Sequence, residues 1–133
     1  MLKLVALLKR RSGMTLDEFR DYYETTHSKF AEPLKGGLAV RYVRRYFTPI
    51  GHPLLDAEVE EPEFDAMMEM WFKDQAQFEA AMKVSSDPVL AKAIKDDEYN
   101  LFDVPKIRHF LVDEVDTEMF VESTDENADR PPG

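Results

Sequence analysis

The order of patterned segments in this sequence predicts an α+β fold, a ferredoxin-like βαββαβ sandwich with one extra short helix. Three observations predict it. Strand-type and helix-type segments follow the order strand, helix, strand, strand, helix, strand, with the extra helix before the last strand. Helix starts are marked by capping signals at Thr15 and Asp74. The strand candidates are apolar on both parities, which is more than a sheet covered by helices on one side requires.

Residues 2–9, mostly Leu, Val and Ala, suit a strand buried on both faces. Lysines interrupt this short apolar run and no small-residue cleavage site follows it, so it reads as the first strand of a cytoplasmic protein, not a signal peptide. No apolar run approaches the roughly 20 residues that a membrane span needs. The chain then turns at Gly13, which is free to take a positive φ. Thr15, Leu16, Asp17 and Glu18 match a capping box, and the two acids sit at the positive end of the helix dipole. Leu16, Phe19, Tyr23, Thr26 and Phe30 recur at steps of three and four and define one helical stripe, which Pro33 and Gly36-Gly37 end.

Residues 39–47 (AVRYVRRYF) are rich in β-branched and aromatic types and form the second strand. Residues 48–64 carry three prolines and are too long for a hairpin turn; loops of that length tend to be functional or mobile. Residues 65–72 (DAMMEMWF) form the third strand, with Met67, Met68 and Met70 as core. Asp74 with Gln77 resembles a second capping box, opening a helix through Met82 with Phe78, Ala81 and Met82 on its apolar side. Asp87-Pro88 starts a shorter helix, with proline at the first helical position. Residues 106–113 (KIRHFLVD) form the last strand.

Residues 1–115 therefore make one domain, and 116–133 an acidic tail. Within that tail Met119, Phe120 and Val121 are expected to anchor on the body or on a partner subunit; beyond Glu122 the composition is that of a disordered end. From Asp113 onward there are eight acidic residues against one arginine, which accounts for most of the net charge of −10. The body is only weakly acidic and has no basic patch, which argues against nucleic acid, whose affinity rests on phosphate neutralisation. With no cysteine, disulfides, thiolate nucleophiles and iron–sulfur clusters are excluded. The three histidines lie on separate elements without an HxxxH pair, so no metal site is expected. No P-loop, dinucleotide fingerprint or Gly-x-Ser-x-Gly elbow occurs.

The first strand sets Leu2, Leu4, Ala6 and Leu8 against Val5 and Leu7. The third sets Met68, Met70 and Phe72 against Met67 and Trp71, and the fourth Ile107 and Leu111 against Phe110 and Val112. Helices cover one such face. A second copy of the sheet is the simplest cover for the other and predicts a homodimer; the alternative is a monomer with its acidic tail folded over.

His27 lies four residues after Tyr23 and eight after Phe19, on the core-facing stripe. Two readings stand. It is a helix-end histidine serving the last carbonyls, or it is the titratable group of a small-molecule pocket. Candidate walls for that pocket are Tyr42, Arg44 and Tyr46 on one parity of the second strand, Trp71 on the third, and Asp103 before the fourth. His52 is expected on an exposed loop, and His109, alternating with Ile107 and Leu111, in the core or an interface.

The stretch LLKRRSGMTLDEFRDYYETTH resembles the opening signature of the EthD domain family: a strand ending in basic residues, Gly-Met-Thr, an acidic Glu-Phe-Arg segment, then Tyr-Tyr-Glu and a histidine. YVRRYF, EMWF and FDVPKIRHFLVDE resemble further segments, so the likeness spans residues 1 to about 115. The resemblance implies sheet-to-sheet pairing as a dimeric α+β barrel. For function it implies a cofactor-independent lyase or isomerase, performing dehydration, cyclisation or double-bond migration on a small aromatic or polyketide-like oxygenated substrate, with His27 as acid/base group. In that scheme Tyr46 or Tyr23 donates to a developing oxyanion and Trp71 stacks on the substrate, while Arg44, Tyr42, Phe19 and Asp103 complete the binding surface. No cofactor is implied. The alternatives are a haem-binding protein with the helix histidine as ligand, or a hydrophobic-metabolite-binding accessory protein of a catabolic oxygenase system. The 48–64 loop and the tail depart from the family pattern, so no particular substrate is implied.

Overall fold

In the computed structural model, which describes residues 1–52, 54 and 60–120, four strands pair into one antiparallel sheet of order β2-β3-β1-β4. The strands are β1 (Leu2–Leu8), β2 (Arg41–Tyr46), β3 (Ala66–Phe72) and β4 (Arg108–Val112). Helix α1 (Leu16–Thr25) and a 3-10 helix (His27–Leu34) lie between β1 and β2. Helices α2 (Gln75–Ser85) and α3 (Pro88–Leu101) and a short 3-10 turn (Val104–Lys106) lie between β3 and β4. Crossovers that place β1 and β3 in the centre give the ferredoxin-like arrangement.

Local chemistry sets the helix starts. Gly13 takes φ +84°, and Thr15 then caps α1 reciprocally: its Oγ1 accepts from the Glu18 N–H and its own N–H donates to Glu18 Oε1, each at 3.1 Å. Asp74 accepts from the Gln77 N–H at 2.9 Å, and Asp87 accepts from the Leu90 N–H at 3.1 Å ahead of Pro88.

Two expectations are corrected. Helix α1 stops at Thr25 and does not run to Phe30: Thr26 (φ −124°, ψ −66°) leaves the helical region and the chain rewinds as a 3-10 helix. Thr25 donates to the Asp21 carbonyl and Ser28 to the Glu24 carbonyl, side-chain bonds that compete with the backbone ladder. Helix α3 is the longest of the described helices at 14 residues, not a short one. Its acidic run, which looks like an ending, is held by a Lys92–Asp96 pair at 2.5 Å and by inward contacts of Asp97.

Pairing register assigns each strand side chain to a face. Leu2, Leu4, Ala6 and Leu8 share the helix-covered face with Tyr42, Arg44 and Tyr46, with Ala66, Met68, Met70 and Phe72, and with His109 and Leu111. Phe19, Phe72 and Leu101 are fully buried there, each removing about 2–3 kcal/mol worth of apolar surface from water. The opposite face mixes Val5, Val43, Met67 and Phe110 with Lys3, Arg41, Arg45, Glu69 and Arg108. Among the described residues no helix covers it. Of the described tail residues, Glu114 meets Lys3 at 2.6 Å, while Met119 and Phe120 stand exposed and do not anchor on the body, one of the two placements expected of them. Val121 and the remaining acidic tail lie outside the described residues, as does part of the 48–64 loop. Among the described residues no helix is long and apolar enough to cross a membrane.

Candidate functional site

Between the helix-covered face and the 3-10 helix lies a partly open hollow of about 150 Å3. That is the scale of a cavity that admits a single ring. Ala6, Tyr42, Met68 and Met70 form its floor; Phe30 and Leu34 of the 3-10 helix and Ile94 and Glu98 of α3 form its walls.

His27 borders this hollow. The rewinding at Thr26 keeps it on the buried side, 9% exposed, and its ring meets Tyr23, Phe30 and Phe102 edge-to-face at centroid distances of 5.3–5.5 Å. Nδ1 lies 2.8 Å from Asp97 Oδ2. Asp97 is itself fixed: its Oδ1 accepts from the Tyr22 hydroxyl and from Asn100 Nδ2 at 3.2 Å. Burial acts to raise the Asp97 pKa, but the three donors outweigh it, so the carboxyl titrates below its usual value and stays ionised. A carboxylate only accepts, which places the imidazole proton on Nδ1 and leaves Nε2 with a free lone pair. Among the described residues Nε2 makes no hydrogen bond, and it is not a fully buried atom; the ring that carries it borders the hollow. Burial pulls the His27 pKa below 6.5, and Asp97 only partly offsets this. Burial thus favours the neutral ring, which borders a single-ring space.

The residues expected around His27 divide. Tyr23 and Tyr42 line the hollow, their hydroxyls 3.4 Å apart, and burial pushes both pKa values up, so both stay protonated. Arg44 and Tyr46 share Tyr42's face but are drawn away by Glu24, which accepts from Arg44 Nε at 2.9 Å and Nη2 at 2.6 Å and from Tyr46 Oη at 2.5 Å. Phe19 is a core ring, 1% exposed, edge-on to Tyr23, Tyr46 and Phe102. Trp71 lies on the opposite sheet face, because odd-numbered positions of β3 point away from the helices. Asp103 pairs with Lys106 at 3.4 Å in a separate polar groove with Lys9 and Arg10. Trp71, Asp103, Arg44, Tyr46 and Phe19 thus lie outside the lining of this hollow.

Sequence reasoning missed Asp97, Glu98, Phe30 and Phe102. A signal existed: positions 94, 97, 98 and 101 follow helical spacing, so Asp97 and Glu98 share a side with Ile94 and Leu101. His109, expected in the core or an interface, is exposed on β4 and forms part of the hollow's rim. His52 is exposed, and its Nδ1 accepts from the Leu54 N–H at 3.1 Å. Among the described residues no group of three or more His, Asp or Glu side chains is arranged to hold a metal ion.

The EthD domain family matches residues 11–105 of the chain. A search of the curated proteins finds no match. Among solved structures, the chain is similar to an EthD family protein from Bacillus halodurans C-125, at 22% identity over 86% of this chain and 99% of that one, with a TM-score of 0.59. It is also similar to an EthD-like protein from Ralstonia eutropha JMP134, at 21% identity over 92% and 95%, TM-score 0.53. A DABB family protein with a ferredoxin-like fold from Mesorhizobium loti is similar at 11% identity over 86% and 97%, TM-score 0.54. At these identities the structural likenesses concern the fold.

Proposed function

This chain belongs to the EthD domain family, and from that premise we propose that it is a cofactor-independent lyase or isomerase working by histidine acid/base chemistry. Its substrate presents one ring of a small aromatic or polyketide-like oxygenated molecule to the His27 hollow. The observation that supports this reading is the fixed imidazole: Asp97 holds Nδ1 at 2.8 Å, and the ring borders a space of about 150 Å3. Nε2 removes a proton from a carbon next to a carbonyl. The charge that develops on the carbonyl oxygen is met by the hydroxyls of Tyr23 and Tyr42, which their raised pKa values keep as donors. A positioned base of this kind contributes roughly 100- to 10,000-fold.

Proton abstraction is testable without the natural substrate. Cyclohexanone in D2O, followed by 1H NMR, should exchange its α-protons faster with the protein than in buffer, and His27→Ala should remove at least about 99% of that gain while circular dichroism shows the chain still folded. Exchange that survives His27→Ala would sink the assignment. A second reading, an accessory protein that binds a hydrophobic metabolite without turnover, is favoured by the apolar walls at Leu34, Met68, Met70 and Ile94. Binding of cyclohexanone without exchange would select it. We also assign the uncovered sheet face to a second copy of the chain, with Phe110 and Trp71 at the contact, as a dimeric α+β barrel requires.

A further inference from the structure

The hollow contains a carboxyl that proton abstraction leaves unused. Glu98 follows Asp97 on α3, and one helical step of about 100° carries it from the His27-holding side to the hollow wall, one turn beyond Ile94. Its acidic neighbours are engaged: Asp96 with Lys92, and Asp97 with Tyr22, His27 and Asn100. Glu98 is half-buried, and its side chain makes no hydrogen bond or ion pair among the described residues. The other clusters of charged side chains are internally matched: Lys9 and Arg10 with Glu61 and Asp65, Arg44 and Tyr46 with Glu24, Arg45 with Glu69. Burial raises the Glu98 pKa, with Lys95 on the same helix opposing it; His27, His109, Tyr23 and Tyr42 are the other titratable groups around the hollow. A half-buried carboxyl without a partner, beside a base that is held neutral, divides the roles of acid and base.

We propose that Glu98 is the general acid of the hollow, protonating a hydroxyl that departs from the carbon β to the carbonyl whose α-proton His27 removes. The proposal rests on His27 being the base. His27 Nε2 takes the α-proton, and the C–H electron pair forms the enolate. Re-formation of the carbonyl shifts a pair into the new C=C bond and breaks the β C–O bond. The Glu98 proton goes to the departing oxygen, which leaves as water. The imidazolium and carboxylate that remain are reset by transfer of one proton from His27 to Glu98. The net change is a β-hydroxy ketone becoming an enone and water, with no oxidant or cofactor consumed. The preferred substrate class is accordingly a cyclic β-hydroxy ketone.

Two probes separate this proposal from the reading it rests on. Cyclohexanone exchange requires only the base, whereas conversion of 3-hydroxycyclohexanone to cyclohex-2-enone requires base and acid. Glu98→Gln, which preserves shape, should slow dehydration at least about tenfold more than it slows exchange. Dehydration at the wild-type rate in Glu98→Gln overturns the proposal. Exchange that is absent, or that survives His27→Ala, strikes the His27 reading instead. In either case 13C NMR titration of the Glu98 carboxyl tests the acid role separately: a midpoint above 4.5 supports it, and one at or below 4.5 overturns it.

Discussion

On the helix-covered face of the sheet, His27 and Glu98 border a hollow with a lone pair and a carboxyl that no group among the described residues satisfies. On the opposite face Glu69, only 5% exposed, is met by Arg45 and by Trp71 Nε1 at 2.9 Å, and Trp71 is flanked by Lys3 at 3.8 Å and Arg41 at 4.9 Å. Burial acts to raise the Glu69 pKa, yet Arg45 and Trp71 more than offset it, so the carboxylate is held ionised. The strands that carry both arrangements are the same, and successive residues alternate between them. A charge whose hydrogen-bonding capacity is fully taken serves the fold or an interface. One left unmet beside a cavity is available to a ligand.

The sharpest way to break this comparison is Asp97→Asn. The amide oxygen still accepts, but the tautomer and orientation of His27 are no longer enforced, and cyclohexanone exchange should fall by about 100-fold. NMR exchange rates that match wild type would mean that Asp97 serves only the helix. Glu69→Ala should do the reverse. It leaves Arg45 and Trp71 without their acceptor and should cost about 2 kcal/mol in urea unfolding, discounted for the partial exposure of Arg45, with exchange unchanged. A loss of exchange in that variant would show that the two faces are coupled. Sedimentation should place the wild type as a dimer, and Phe110→Asp should raise the dissociation constant at least about thirtyfold, a hot-spot-sized change; a monomeric wild type would remove the second copy from the outer face.

The smallest effect concerns pH. Arg44 first, with Tyr46, holds the Glu24 carboxyl at about 2 although burial opposes them. Because the folded value lies below the unfolded 4.5, this stabilisation is full above pH 4.5 and is lost as pH falls through about 2. Glu24→Gln should cost about 1 kcal/mol at pH 7, since the carboxylate is partly exposed, and its melting curve should converge on wild type toward pH 2. His27, also depressed, adds stability that is full above 6.5 and declines as pH drops through its folded value, so His27→Ala should flatten that part of the profile.

Features that depend on spacing within a few residues were legible. The Thr15–Glu18 capping box, Pro88 at the first turn of α3 and the element order all appear as read, because each is a matter of neighbours along the chain. The end of α1 was not, since Thr25 and Ser28 act through side-chain bonds that no periodicity reveals. Nor was the face of Trp71. When both parities of a strand are apolar, alternation says only that two faces exist, and where the helices cross over decides which is which.

By itself, then, the sequence determined an α+β chain with helices laid over one sheet, its EthD family, and a histidine on the buried stripe of its first helical segment. Only the tertiary structure decided that this histidine meets Asp97, 70 residues away, that Tyr23 and Tyr42 share its hollow while Trp71 does not, and that Glu98 lines it without a side-chain partner among the described residues. The physical reason is the range of the forces involved. Caps and amphipathic stripes arise from contacts a few residues apart, whereas a side-chain hydrogen bond across the chain exists only once packing has brought two helices to the same side of one sheet.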